Sequence, residues 1–163
     1  MPTRTLTDNE KKYLRFVFGE TLPYETQKIT TNDANRGGAG NSITYSDTPH
    51  YSTQIWCPDF TVVGAQTWVF IHEFGHVWQS IYAKSPISGF LENVMSHPLD
   101  YDLNYAYDMM KSTDFYDYNI EQQASIVADY WAVSVGQQAL HCTNPKPPTA
   151  ADYLYFIAQV QAG

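Results

Sequence analysis

Two histidines one helical turn apart constrain this chain more than any other feature. His72-Glu73-Phe74-Gly75-His76 has the form H-E-x-x-H and stands inside an apolar stretch, Trp68 to Tyr82. An α-helix turns about 100° per residue, so the two imidazoles lie roughly 40° apart around the axis and can reach one metal ion. Glu73 falls about 60° from His76 on the same side. It is placed to touch a water on that metal rather than the metal itself. Two neutral imidazoles with an open position suit Zn²⁺, which lowers the pKa of a bound water to about 7. A carboxylate beside that water can accept its proton. The pattern is that of metal-assisted hydrolysis. The competing reading is a buried helix whose histidines bond to carbonyls. Context disfavours it: Val69, Phe70 and Ile71 precede the motif, and Val77, Trp78 and Ile81 follow it. A helix this apolar belongs in the interior. Two histidines and a glutamate buried there without a metal or a strong partner are costly.

With 163 residues, 44% hydrophobic and 16% charged, the chain reads as one globular domain, 1–163, with its own core. The net charge is −8, and Glu92 to Asp129 holds eight carboxylates against one cation, Lys111. That balance excludes nucleic acid and anionic membrane surfaces as expected partners. Most of these acids read as a solvated face. No apolar run reaches transmembrane length, so no membrane insertion is expected. Met1 to Lys12 lacks the basic-then-apolar pattern of a secretory signal. The expectation is a cytoplasmic protein, one exported by a specialised route with periplasmic action, or a segment of something larger. Cys57 and Cys142 show no nucleophile constellation, and the sequence does not decide between a disulfide and two free thiols.

Thr7-Asp8-Asn9-Glu10 has the form of a capping box opening a helix to about Phe18, with Gly19 as its stop. Leu22 to Ile29 reads as a strand, and Thr30 to Gly40 as a loop ending in a glycine cluster without the features of a phosphate cradle. Asn41 to Tyr45 and Thr53 to Trp56 alternate as strands around a turn at Ser46 to Pro49. The H-E-x-x-H helix is expected from Val63 or Ala65 to Ala83, closed by Lys84 to Pro86. A short helix is placed at Phe90 to Met95. Asp100 to Tyr118 is rich in tyrosine and reads mainly as a partly buried connecting layer. Asn119 and Gln122 cap another helix running to about Leu140, and Thr149 caps a last one over Ala150 to Gln161.

Three protein ligands are usual at a catalytic zinc, so two histidines leave the set incomplete. A third histidine on metzincin spacing is excluded, because Gln79 and Tyr82 occupy those positions. The candidates are His50, Glu92, His97, Asp100, Asp102, Asp108, Glu121, Asp129 and His141. Glu121 leads them: it opens a long apolar helix, and the small residues Ala124 and Ser125 permit close approach. Its alternative role is a carboxylate favoured by the helix N-terminus. Asp129 lies two turns on along the same face, as a partner for a ligand imidazole or as a surface acid. His50 and His141 read otherwise as ordinary loop residues.

His72 to Gln79, H-E-F-G-H-V-W-Q, taken with Asn119 to Trp131, N-I-E-Q-Q-A-S-I-V-A-D-Y-W, resembles the short zincin metallopeptidases of bacteria. It is similar in particular to the metallopeptidase domain at the C-terminus of some VgrG spike proteins of type VI secretion. The likeness covers most of the chain, but only these two helices carry specific residues. It implies a gluzincin-type site with His72, His76 and Glu121 on Zn²⁺ and Glu73 as base. Many gluzincins place an aspartate four residues after the ligand glutamate; here Ser125 stands there, and Asp129 is the substitute on offer.

The expected fold is α+β and zincin-like, a small antiparallel sheet beside the H-E-x-x-H helix and a second long helix carrying the third ligand. The expected activity is zinc-dependent peptide-bond hydrolysis by a secreted effector or toxin. Its partners would be a peptide or protein substrate, with a secretion apparatus or an inhibitory immunity protein. Tyr105, Tyr107, Tyr116, Tyr118 and His97 are the candidates for stabilising the oxyanion. A sheet edge at Thr53 to Trp56 is the candidate for holding an extended peptide. The rival readings are a zinc amidase acting on cell-wall peptides, a non-catalytic zinc-stabilised binding module with a fourth ligand such as His97 or Asp100, and a metal-free interaction domain.

Overall fold

The computed structural model describes residues 2–32, 42–45, 47–82 and 105–163. Among these the fold is α+β. Four strands, β1 (Thr3–Thr5), β2 (Lys28–Asn32), β3 (Ile43–Tyr45) and β4 (Thr48–Ser52), form one sheet in the order β1-β2-β4-β3. Four helices, α1 (Asp8–Phe18), α2 (Gly64–Tyr82), α3 (Ile120–Ser134) and α4 (Leu154–Ala162), pack beside it. The glycine cluster Gly37 to Gly40, the helix expected at Phe90 to Met95 and the stop at Lys84 to Pro86 lie outside the described residues.

α1 and α3 begin where their caps predict, whereas the box at Thr149 and Asp152 opens a short 3₁₀ turn, Ala150–Tyr153, and α4 starts only at Leu154. Thr7 Oγ1 accepts from Glu10 N while Glu10 Oε2 accepts from Thr7 N, and α1 ends at Gly19 with φ of 59°. Asn119 and Gln122 form the same reciprocal pair ahead of α3. Glu10 does more than cap: its buried carboxylate also takes both Arg4 terminal nitrogens, at 2.7 and 2.6 Å, and Phe60 N at 3.0 Å. β1, α1 and the approach to α2 are thereby tied together by one satisfied charge pair. α3 is shorter than expected. It stops at Ser134, and Gly136, at φ of 82°, takes the left-handed position that ends it.

The sheet differs from expectation in register and in sense. The strand expected at Leu22 to Ile29 starts later, because the Pro23 carbonyl accepts from Thr26 N and Gln27 N and makes a turn there. The strand expected at Thr53 to Trp56 is instead a turn in which Ile55 N and Trp56 N donate back to Ser52 O. β4 precedes it and includes Pro49, which stands ahead of the first parallel pair, Thr30↔His50. β2 and β4 run parallel, so the sheet is mixed; only β1/β2 and β3/β4 are antiparallel. The parallel pair arises because β3 and β4 form a hairpin, turned through Asp47 at φ of 70°, whose second strand, not its first, docks on β2.

The core lies between the sheet, α2 and the other helices. Phe60 packs tilted against Tyr51 and stacked on Phe70, with centroids 4.4 and 5.2 Å apart. Trp78 Nε1 donates to the Val160 carbonyl at 3.0 Å and locks α4 onto α2. α2 and α3 make the most extensive helix–helix contact. At their crossing a Cβ on Gly75 would stand 2.9 Å from Ala124 Cα and 3.0 Å from Ala124 Cβ. The backbones meet there only because one residue has no side chain and the other has one carbon.

Adding a side chain at Gly75 should therefore destabilise the protein. Alanine gains about 1 kcal/mol of helix propensity, but overpacking against a backbone atom costs roughly 1 to 3 kcal/mol. Urea unfolding is expected to show Gly75→Ala less stable than wild type and Gly75→Val less stable again.

Candidate metal centre

α2 presents His72, Glu73 and His76 on the side that faces α3 and β3. All three are buried, with relative exposures of 4%, 5% and 5%, and Glu121 from the first turn of α3 is exposed by only 3%. His72 Nε2 lies 3.1 Å from Glu121 Oε2, and His76 Nε2 lies 3.4 Å from the same oxygen. The two imidazoles are edge-on, 5.0 Å apart at 84°. One donor atom from each of His72, His76 and Glu121 falls within 4.8 Å of the others.

This donor set fits a zinc ion. Two ligand atoms each about 2.1 Å from an ion at the tetrahedral angle stand about 3.4 Å apart, close to the separations seen here. Two nitrogens and a carboxylate oxygen are also the ligand types zinc takes at catalytic sites. Glu73 is not one of the three converging residues. Its Oε2 instead accepts from Thr44 Oγ1 of β3 at 2.7 Å, and the same hydroxyl lies 3.0 Å from the Glu73 carbonyl. Burial pushes the Glu73 carboxyl up, and His76, His72 and Thr44 offset part of that rise.

In the metal-free chain Glu121 and His76 form a buried charged pair. Burial lowers the pKa of His76, but the Glu121 carboxylate outweighs it and raises the imidazole to about 9. Burial also raises the pKa of Glu121, and His76 and His72 overcome that effect and hold it well below the ordinary carboxylate range.

The orientation of the histidines comes from groups that are not obvious in the sequence. His76 Nδ1 lies 2.8 Å from Gln79 Oε1. His72 Nδ1 and Ser125 Oγ are buried with no partner among the described residues. Asp129 serves neither imidazole. It is fully buried and accepts from Trp68 Nε1 (2.7 Å), Leu140 N (2.8 Å), Tyr107 OH (2.8 Å) and His141 N (3.0 Å). It acts on the site through Trp68, whose ring stacks on His72 at 5.0 Å. It also draws in the chain around His141, whose ring lies 5.2 Å from Trp68 and 5.3 Å from Tyr105. His141 is therefore part of the aromatic wall beside His72 rather than an ordinary loop residue.

The remaining third-ligand candidates separate clearly. Asp108 is exposed and caps a turn at Met110 N, and His50 sits in β4. Glu92, His97, Asp100 and Asp102 lie outside the described residues. Cys57 and Cys142 are free thiols. Thr44 escaped sequence reasoning because it is 29 residues from Glu73. Gln79 carried a signal that was open to use, since it stands one turn beyond His76 on the same face.

No protein-family model matches the chain. Among curated proteins it is similar to the type VI secretion system spike protein VgrG2b of Pseudomonas aeruginosa, with 27% identity over 133 residues. That match takes in 78% of this chain but only 13% of the relative's length. Among solved structures it is similar to the effector domain of Pseudomonas aeruginosa VgrG2b, with a TM-score of 0.67 and 25% identity over 82% of this chain and 75% of that one. The chain is thus similar to that effector domain in both sequence and fold. No helix among the described residues is long and apolar enough to cross a membrane.

The ion pair makes a prediction for metal-free protein. The raised pKa of His76 contributes stability that is complete below its ordinary 6.5 and lost as pH rises through about 9. The depressed pKa of Glu121 contributes stability that is complete above its ordinary 4.5 and lost in acid. The pair should stabilise most between pH 4.5 and 6.5. Chelator-treated wild type is expected to lose stability between about pH 6 and about pH 9.5 relative to Glu121→Gln, as read by urea unfolding.

Proposed function

We propose that this domain is a zinc-dependent peptide-bond hydrolase with a zincin-like site, and that it acts as a type VI secretion effector. The observation that carries the reading is the convergence of His72 Nε2, His76 Nε2 and Glu121 Oε2 beside a separate buried carboxylate, Glu73. Zinc bound by that set supplies Lewis-acid chemistry, polarising a carbonyl and acidifying water.

Glu73 handles the proton. Thr44 Oγ1 occupies Oε2, which leaves Oε1 to take a proton from the attacking water and return it to the leaving amine. Burial makes the carboxylate a stronger base than an exposed one, and His76 and His72 offset only part of that rise. Among the described tyrosines Tyr105 is the candidate to donate to an oxyanion, because its ring lies 5.4 Å from that of His72. The other tyrosines considered for that task have the following partners among the described residues. Tyr107 donates to Asp129, the Tyr118 hydroxyl lies 2.9 Å from the Asp108 carbonyl and 2.8 Å from that of Ser112, and Tyr116 packs on Trp78.

The strand suited to an extended peptide is β3, not Thr53 to Trp56. Pro49 has no N–H, so the pair Thr44↔Pro49 cannot exchange ladder bonds, and those bonds fall at Ile43↔His50 and Tyr45↔Thr48. The main-chain N–H and C=O of Thr44 then point to the outer edge, where a substrate strand can pair with them. The same residue would touch both the peptide and the base. Likeness to a spike protein's effector domain supports delivery by a secretion apparatus, and a toxic hydrolase delivered in that way calls for an inhibitory partner in the producing cell.

Glu73→Gln keeps the shape of the site and removes the proton acceptor. General-base loss is expected to lower hydrolysis by about 10²- to 10⁴-fold while zinc content stays equal to wild type. Assay against a peptide library and against muropeptides separates a protease from a cell-wall amidase. A Glu73→Gln protein cleaving at the native rate would refute the assignment.

A further inference from the structure

Gln79 is buried at 1% exposure, a costly position for a primary amide, and every polar atom of its side chain is engaged. Its Nε2 donates to the Ile120 carbonyl at 2.8 Å and to Gln123 Oε1 at 3.0 Å. Gln123 Nε2 in turn donates to the Tyr118 carbonyl at 2.8 Å. With two oxygen acceptors facing its NH₂ group, the Gln79 amide must turn Oε1 toward His76, where the separation to Nδ1 is 2.8 Å. An acceptor at that distance requires a proton on Nδ1. The lone pair of a neutral His76 is then on Nε2, the nitrogen that faces Glu121 Oε2.

From this arrangement we propose that Gln79 is the positioning residue of the metal centre: it selects the His76 tautomer that presents Nε2 to the ion and pins that imidazole to the first turn of α3. The proposal rests on reading His72, His76 and Glu121 as a metal site. One side chain joins the two halves of the donor set, since Ile120 and Gln123 flank Glu121. His72 has no equivalent among the described residues, where its Nδ1 is without a partner. His76 is therefore the imidazole whose Nδ1 is held before any ion arrives, and Gln79 holds it.

Two substitutions separate this role from simple helix packing. Gln79→Met and Gln79→Glu both lose the donor to Ile120 and Gln123, so both weaken the link between α2 and α3. Only Gln79→Glu retains an acceptor for His76 Nδ1–H. The experiment is competition for Zn²⁺ between the chelator-stripped full chain and a chromophoric chelator, with circular dichroism as the control for folding. Gln79→Met is expected to bind Zn²⁺ about 10- to 100-fold more weakly than wild type, and Gln79→Glu to recover most of that loss despite its poorer helix contact. In zinc-loaded wild type the His76 Nδ1 proton should be a slowly exchanging imidazole resonance. It should persist in Gln79→Glu and vanish in Gln79→Met, a signature that packing alone does not move. Equal weakening in both variants, or a Gln79→Met chain that binds as wild type does, overturns the role of Gln79 and leaves the metal site standing. A wild-type chain that takes up no Zn²⁺ overturns the metal site itself. Should Gln79→Met fail to fold, Gln79→Glu still decides: loss of both the affinity and the resonance in a folded chain counts against the proposal.

Discussion

The site depends on how closely α2 and α3 approach. A carboxylate reaches only a few ångströms from its backbone, so Glu121 can meet two imidazoles on another helix only where the helices nearly touch. Gly75 and Ala124 provide that contact, one lying inside the H-E-x-x-H motif and the other three residues beyond Glu121. An ordinary interaxial distance of about 8 to 10 Å is filled by side chains; here the filling is a single methyl group. The packing detail and the chemistry are thus one feature seen from two sides.

A second constraint is the number of buried acids. Glu10, Glu73, Glu121 and Asp129 are all buried, and burying a carboxylate is tolerable only when its oxygens are occupied. Each is answered differently. Glu10 meets a guanidinium and two backbone N–H groups. Asp129 meets an indole, a phenol and two backbone N–H groups. Among the described residues Glu121 meets two imidazoles, and Glu73 meets one hydroxyl. The first two are saturated and hold structure. The last two keep unused capacity among the described residues and both feel the charge of His76, the distinction on which the proposed function draws.

Much of this was legible in the sequence. The capping boxes at Thr7 and Asn119, the extent of α2, and the placing of His72, Glu73 and His76 on one face follow from local rules acting within a few residues. The strands were less legible. Pro23 and Pro49 are read locally as strand and turn, whereas hydrogen bonds to the Pro23 carbonyl and the docking of β4 on β2 reverse both assignments. Asp129 was misread for a similar reason. Its position along α3 suggested a partner for a ligand imidazole, but the chain around Leu140 and His141 folds back and claims both of its oxygens.

The sequence by itself determined the chemistry on offer: two imidazoles and a carboxylate one turn apart, on a helix too apolar to lie at the surface. That much follows from helical geometry and the cost of exposing apolar residues to water, which act wherever the helix happens to sit. The sequence ranked Glu121 first among the distant acids; tertiary structure decided that it meets the histidines, which hydroxyl holds Glu73 and which groups of α3 receive the far end of Gln79. Those contacts link residues 49, 29 and 41 positions apart. No local preference specifies them, because they exist only once the packing of α2 against α3 and β3 has brought the groups within reach.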